Sequence, residues 1–435
     1  MTLNQFSEIT PENTVWALVA FEGPDRYSLA GGLGVRVSEL SDALAEQGYE
    51  SHLIFVGSPD EPHKSTLNSH RTLWRVAQEV SARYPRGVYD GEEEKLIAFE
   101  QETITLLLAL AREAREQEKL LIVMGEDWQT AQTMISAQER FYWQGLIPNV
   151  LMLWNANSTF GFDRVDWSRL SERVSVTVVS RYMKQKLLSR GVESLVIPNG
   201  IPPRHLAAIP MDDVRALEAS VEGRMLLTKI ARFDPDKNWL PAVQAVARLI
   251  DMGERPLFIA RGGIESYGIT VLHEMNSLGL RHVDLDIQKP TLEQFLEAID
   301  ELKEEADVIL LRRFVPESIM RLLYRTSAAV LANSVHEPFG LVGLEVMGAR
   351  GVAFVGSTGE DYAQHLLNCV TLDTTDPNEI VANLRYLSHQ PSLVHNLRRM
   401  GHITARLYVW PRIIKDILNK LSYLLIATNR HGPPA

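Results

Sequence analysis

The stretch from His336 to Glu345, "HEPFGLVGLE", holds two carboxylates, Glu337 and Glu345, eight positions apart, with Gly340 and Gly343 between them. An apolar run of strand length, "AAVLANS", precedes it and an apolar helical pattern follows. The pattern predicts strand, loop and helix, with the helix starting near Gly340. The amides of Gly340, Leu341 and Val342 then fall among the unpaired donors of its first turn, a place that suits an anion. Glu337 lies in the loop and Glu345 more than one turn inside the helix. Carboxylates only accept hydrogen bonds, which suits hydroxyl-rich ligands such as ribose and hexose. The plain alternative for Glu345 is an exposed helical residue, against which its neighbours Leu344, Val346 and Met347 argue.

Two further stretches share an anion-binding logic. In "ARFDPDKNW" (231–239), Arg232 and Lys237 stand five apart around a turn containing Pro235. A guanidinium and an ammonium brought onto one ligand suit a diphosphate. A surface pair between Arg232 and Asp234 or Asp236 is the equal alternative. In "AGGLG" (30–34), Gly32 and Leu33 open a helix after the strand "VWALVAF". Glycines there let the backbone approach an anion, although a glycine pair taken alone is more often just a turn. The third glycine of the dinucleotide fingerprint is missing, which ranks a dehydrogenase last.

Each of these stretches needs a strand to end and a helix to begin at the same place. The chain supplies that repeatedly. "VWALVAF", a helix over 31–48 and "SHLIFVG" form one βαβ unit, and "LLIVMG", "VLMLWNA", "SVTVVS" and "SLVIPNG" continue the alternation. A second series starts at "RMLLTKIARF" and runs through "PLFIARGG", "ADVILLRRF", "AAVLANS" and "GVAFVGS". Residues 60–100, charged and interrupted by Pro62 and Pro85, read as an insertion or a mobile surface segment. The fold class expected is α/β, with two Rossmann-like parallel-sheet domains: 1–203 together with a last helix at 409–435, and 204–408. A chain of 435 residues is long enough for two cores.

Composition narrows the function. A net charge of −11 argues against broad nucleic-acid binding, and Arg181, Lys184, Lys186 and Arg190 read as a solvated helix face. A single cysteine, Cys369, allows no internal disulfide and no cysteine-held metal, which suits a cytoplasmic setting. The polar N-terminus lacks an apolar leader core, and no stretch suits a membrane helix. Peripheral membrane contact stays open.

Six segments in order resemble one family over nearly the whole chain. They are "GGLG", "EDWQT" (126–130), "SRYMKQKLLSRG…VIPNG", the Arg232-to-Lys237 and Glu337-to-Glu345 elements, "GSTGED" (356–361) and "YVWPRI". Together they are similar to the retaining GT-B glycosyltransferases of the group 1 (family 4) and glycogen-synthase superfamily. The resemblance implies two domains facing a cleft, with the last helix crossing back to the first domain. It implies hexose transfer from a nucleotide diphosphate sugar to a carbohydrate or other small hydroxyl acceptor, with no cofactor and no metal. Arg232 and Lys237 would stabilise the leaving diphosphate, Glu337 would hold the sugar and Glu345 the ribose. Gly32, Leu33, Gly340, Leu341 and Val342 would contact phosphate or sugar. The family's synthases carry a donor-contacting histidine where this chain has Trp154 or Asn155, and Glu126 stands where another histidine is frequent. The acceptor side would thus rest on Asp127, Asn155 and Asn157. A sugar-nucleotide-binding protein without catalysis and a nucleotide-sugar epimerase are the alternatives.

Overall fold

The computed structural model describes residues 8–263 and 265–431, the side chains of 427–431 excepted. The chain forms two compact units, one made of Met1–Gly200 and Trp410–Ala435, the other of Ile201–Val409.

The first unit carries eight strands among its described residues: β1 (Thr14–Ala20), β2 (Glu50–Val56), β3 (Lys64–Asn68), β4 (Arg71–Val76), β5 (Leu120–Glu126), β6 (Val150–Ala156), β7 (Ser175–Val178) and β8 (Leu195–Val196). Their order is β3-β4-β2-β1-β5-β6-β7-β8, and every pairing is parallel except β3 with β4. All seven residues of β1, β5 and β6 are buried, the mark of strands covered on both faces.

The segment 60–100 departs from expectation. It is not a mobile insertion: β3 and β4 form an antiparallel hairpin whose second strand extends the sheet beside β2, and a helix already begins at Glu92. Charge hid the strand. Arg75 is buried because its guanidinium meets Asp25 at 2.8 Å, and Arg71 is buried because it donates to Asp42 and to Ser41.

The last helix, Trp410–His431, belongs to the first unit. Its buried residues Trp410, Ile413, Ile414, Ile417, Leu421 and Leu425 repeat at helical spacing and form one apolar stripe. Trp410 lies against Gly200, where an added Cβ would sit 2.5 Å from the ring, and its indole donates to Glu39 at 3.2 Å.

The second unit has a seven-stranded parallel sheet among its described residues: β9 (Met225–Ile230), β10 (Pro256–Arg261), β11 (His282–Leu285), β12 (Val308–Leu311), β13 (Ala329–Ala332), β14 (Ala353–Val355) and β15 (Val370–Thr371), ordered β11-β12-β10-β9-β13-β14-β15. Alternate residues feed two cores. Leu227, Phe258 and Leu310 pack with Trp239 and Val243 on one face, while Leu226, Leu257 and Ile309 pack with Phe295 and Leu323 on the other. Helices on both faces of a parallel sheet make each unit doubly wound.

Candidate functional site

In open α/β sheets a ligand crevice forms at the carboxyl ends of neighbouring strands whose connections leave in opposite directions. In the second unit that place lies between β9 and β13, which adjoin in the sheet although three strands separate them in the chain. The turn after β9 carries Arg232 and Lys237; the loop after β13 carries Glu337.

Local bonds shape the β9 turn. The Trp239 indole donates to the Arg232 carbonyl at 2.7 Å, and the Asp234 side chain accepts from the Asp236 amide at 2.9 Å. Asn238 takes a left-handed φ of 50° to start the next helix. The alternative pairing of Arg232 with Asp234 or Asp236 does not form: Arg232 is exposed and its guanidinium has no partner among the described residues. Lys237 does the opposite, its Nζ meeting Glu337 Oε2 at 2.6 Å with both side chains largely buried. The turn and the loop are therefore joined by a charge-assisted hydrogen bond.

Beyond Glu337 the chain turns through Gly340, at φ 79°, into the helix Leu341–Gly348. No side chain caps that helix, so its first amides, those of Leu341 and Val342 included, face outward from its start. Gly340 is needed by contact as well as by conformation, and Gly343 by contact. A Cβ on Gly340 would lie 2.6 Å from Glu360 Cγ, and one on Gly343 would lie 2.2 Å from the Tyr362 hydroxyl. Glu345 is half-buried on the same helix, next to the fully buried Tyr324. Burial, reinforced by the charge of Glu345, pushes the Tyr324 phenol well above its ordinary range.

Lys229 lies beneath the site, fully buried, a residue the sequence pattern hides inside an apolar strand. Its Nζ donates to the Leu331 carbonyl at 3.0 Å and to Asn333 Oδ1 at 2.6 Å, and it stands over the Trp239 ring at 5.3 Å. Burial, aided by the nearby Lys237 and opposed by Glu337, brings this amine down to about 7. Lys229 thus ties the end of β9 to the end of β13.

The equivalent reversal in the first unit falls between β1 and β5. Here the glycine loop does hold an anion, but the anion is the chain's own. Glu22, 5% exposed, accepts from the amides of Gly31 at 2.8 Å and Gly34 at 3.1 Å, and from the Tyr89 hydroxyl at 2.5 Å. Two amides of the loop, those of Gly31 and Gly34, are therefore taken. Gly32 and Leu33 stand at the first turn of the Gly32–Glu46 helix, with open space beside Gly32.

At the end of β5, Arg36 and Glu126 form a buried pair with two contacts of 3.2 Å. Asn155 and Asn157 both donate to Glu126 Oε2, at 2.9 and 2.5 Å, and Arg36 also donates to Asn199. Asn155 is fully buried, and its amide oxygen accepts from Thr177 at 2.8 Å. The structure thus places Asn155 directly against Glu126. Asp127 follows in an unusual conformation, φ 61° and ψ 173°, of a kind that non-glycine residues occupy only under constraint. Its Oδ1 accepts from the amides of Asn157 at 2.8 Å and Ser158 at 3.2 Å, and burial raises its carboxyl to about 7.

No family model matches the chain, and no curated protein matches it in sequence. Solved structures do. Sucrose-phosphate synthase from Thermosynechococcus elongatus matches with a TM-score of 0.68 at 17% identity, over 95% of this chain and 100% of that one. An α,α-trehalose-phosphate synthase (UDP-forming) from Burkholderia xenovorans, solved with glucose-6-phosphate, matches with a TM-score of 0.65 at 13% identity, over 93% and 99%. Anabaena HepE in complex with UDP-glucose matches with a TM-score of 0.62 at 13% identity, over 94% and 99%.

The fold is GT-B.

At these identities the likeness is one of fold. Among the described residues of this GT-B chain, no three His, Cys, Asp or Glu side chains gather as a metal site, and no helix is long and apolar enough to cross a membrane. The residues the sequence reading missed are Glu22, Lys229 and Glu360. Glu22 stands two residues past the end of β1 and precedes the glycine loop, a placement that was available as a signal. The other two carried none, since a lysine in a strand and a glutamate in a polar loop both read as surface.

Proposed function

We infer that this GT-B chain is a retaining hexosyltransferase that uses a nucleotide diphosphate sugar and needs no metal or cofactor. The observation that carries the reading is the 2.6 Å contact of Lys237 with Glu337, set beside the uncapped start of the Leu341–Gly348 helix. Cleavage at the anomeric carbon builds negative charge on the diphosphate, and fixed cations aimed at it lower the barrier. Lys237, held ready by Glu337, and the exposed Arg232 supply that charge, with the amides of Leu341 and Val342 receiving phosphate oxygens. Glu337 accepts from hydroxyls of the transferred sugar and Glu345 from the ribose. Gly32 and Leu33 contact phosphate or sugar, and Asp127, Asn155 and Asn157 serve the acceptor, which is a carbohydrate or another small hydroxyl compound. Retention follows when the departing phosphate takes the proton of the incoming hydroxyl. A cytoplasmic setting belongs to the same proposal.

The relatives in fold suggest where to begin. One is named as UDP-forming and another was solved with UDP-glucose, so uridine nucleotides head the donor panel. Purified protein is incubated with each nucleotide sugar, with and without sugar and sugar-phosphate acceptors, and nucleoside diphosphate release is followed. Release stimulated by an acceptor supports the transferase; binding without release under any acceptor overturns it. A second reading, a sugar-nucleotide-binding protein without turnover, is favoured by Glu22, which fills a glycine loop that a donor phosphate would otherwise reach.

A further inference from the structure

Glu360, in the loop after β14, is a buried carboxyl that the reading above leaves unused. It is 6% exposed and lies against Gly340, the residue that starts the Leu341–Gly348 helix. Its Oε2 accepts from the Thr358 amide at 3.1 Å, while its Oε1 is enclosed and has no hydrogen-bond partner among the described residues. Thr358 in turn grips Glu337: its hydroxyl accepts from the Glu337 amide at 2.9 Å and donates to the Glu337 carbonyl at 3.2 Å. Glu337 then meets Lys237. A single chain of contacts thus runs from Glu360 through Thr358 and Glu337 to the cation of the β9 turn.

We propose that Glu360 is a positioning residue of the donor site, which in its uncharged form seats the 356–361 loop against Glu337 and leaves the helix start free for the donor's phosphates. This rests on the donor-site reading given above. An enclosed oxygen without a donor makes ionisation costly. The titratable groups acting on Glu360 are Glu337 and Lys237 across the site, with Tyr362 and Cys369 behind it. Tyr362 and Cys369 are themselves pushed upward by burial, the thiol to about 12, and stay neutral. Burial raises Glu360 to about 7, with Glu337 adding to the rise and Lys237 opposing it. A charged Glu360 would set a second negative group beside Glu337, at the place a diphosphate must enter. Gln in its place keeps the shape and the Thr358 contact without the charge; Ala keeps neither.

The test has two arms. Without ligand, the unfolding free energy of wild type, E360Q and E360A is measured between pH 5 and 8.5. A carboxyl raised from 4.5 to about 7 on folding stabilises the protein below the lower value, and that contribution is lost as pH rises through the upper one. Wild type is expected to lose stability relative to E360Q over this range; parallel curves overturn the inference. In the second arm UDP-glucose binding is measured by calorimetry, a probe whose diphosphate exchanges no proton near neutrality. If only the uncharged form admits it, wild-type affinity falls about tenfold from pH 6 to pH 8, while E360Q varies little and E360A binds more weakly at both. Wild type that binds with the same pH dependence as E360Q sinks the positioning role. Wild type that binds no nucleotide sugar at any pH sinks the donor-site reading instead, and the first arm still reports the state of Glu360.

Discussion

Lys237 Nζ and Glu337 Oε2 meet at 2.6 Å across one hundred residues of chain, joining the turn after β9 to the loop after β13. The pair does two jobs in the proposed reaction. Glu337 fixes the ammonium before any ligand arrives, and a carboxylate offers only acceptors, which suits sugar hydroxyls.

The two carboxylates and the lysine should separate kinetically. Lys237→Ala is expected to lower turnover by on the order of 10² to 10³ with a small change in nucleotide affinity, as for loss of a group acting on transition-state charge. Glu345→Ala is expected to weaken donor binding by about tenfold and to spare turnover at saturation, the worth of roughly one charged hydrogen bond. Steady-state kinetics with titrated donor distinguish them, and equal effects of both variants on both parameters would defeat the role assignment.

Glu22 gives a prediction about stability. Replacing it by Ala leaves the Gly31 and Gly34 amides without their carboxylate, so unfolding free energy should drop by about 1.5–3 kcal/mol, read by urea titration. A drop under about 0.5 kcal/mol would mean that water satisfies the loop and that Glu22 is no structural anion.

For Lys229 the folded amine titrates near 7 while the unfolded one titrates at 10.5. Between those values the unfolded chain binds the extra proton, so wild-type stability rises with pH over that window. Lys229→Met should remove this rise while keeping the apolar stem. Unfolding curves at pH 6.5 and 9 for the two proteins test it, and an equal pH response in the variant would show that another group is responsible.

Asp127 combines a constrained backbone with a carboxyl raised to about 7. Its ionised form is disfavoured by folding, so it subtracts stability as pH rises through 7. Asp127→Asn keeps acceptors for the Asn157 and Ser158 amides and should be at least as stable as wild type at pH 8. Its activity should nevertheless fall if Asp127 handles the acceptor. A variant that is both stable and fully active would leave Asp127 as a structural residue alone.

What the sequence made legible follows the range of the interactions involved. The β9 turn, the helix start at Gly340 and the apolar strands rest on local signals: a proline, a glycine and uninterrupted apolar runs. Most of the missed features depend on partners far along the chain. Glu22 is held partly by Tyr89, Arg75 is buried by Asp25, and Lys229 is satisfied by Leu331 and Asn333. A charged residue reads as surface until its counterpart is located. The burial of Asn155 was hidden for the same reason, since it depends on Glu126 and Thr177.

The discontinuous first unit also bears on the order in which the protein takes shape during synthesis. The second unit lies wholly between Gly200 and Trp410, and the stripe running from Trp410 to Leu425 is made after it. A nascent chain emerges from its N-terminus and domains fold as units when their residues become available. The second unit can therefore close first, while the eight-stranded unit, though begun earlier, waits with an apolar face uncovered until its final helix appears. A chain stalled just before Trp410 would present that face to chaperones, with one unit finished and the other still open.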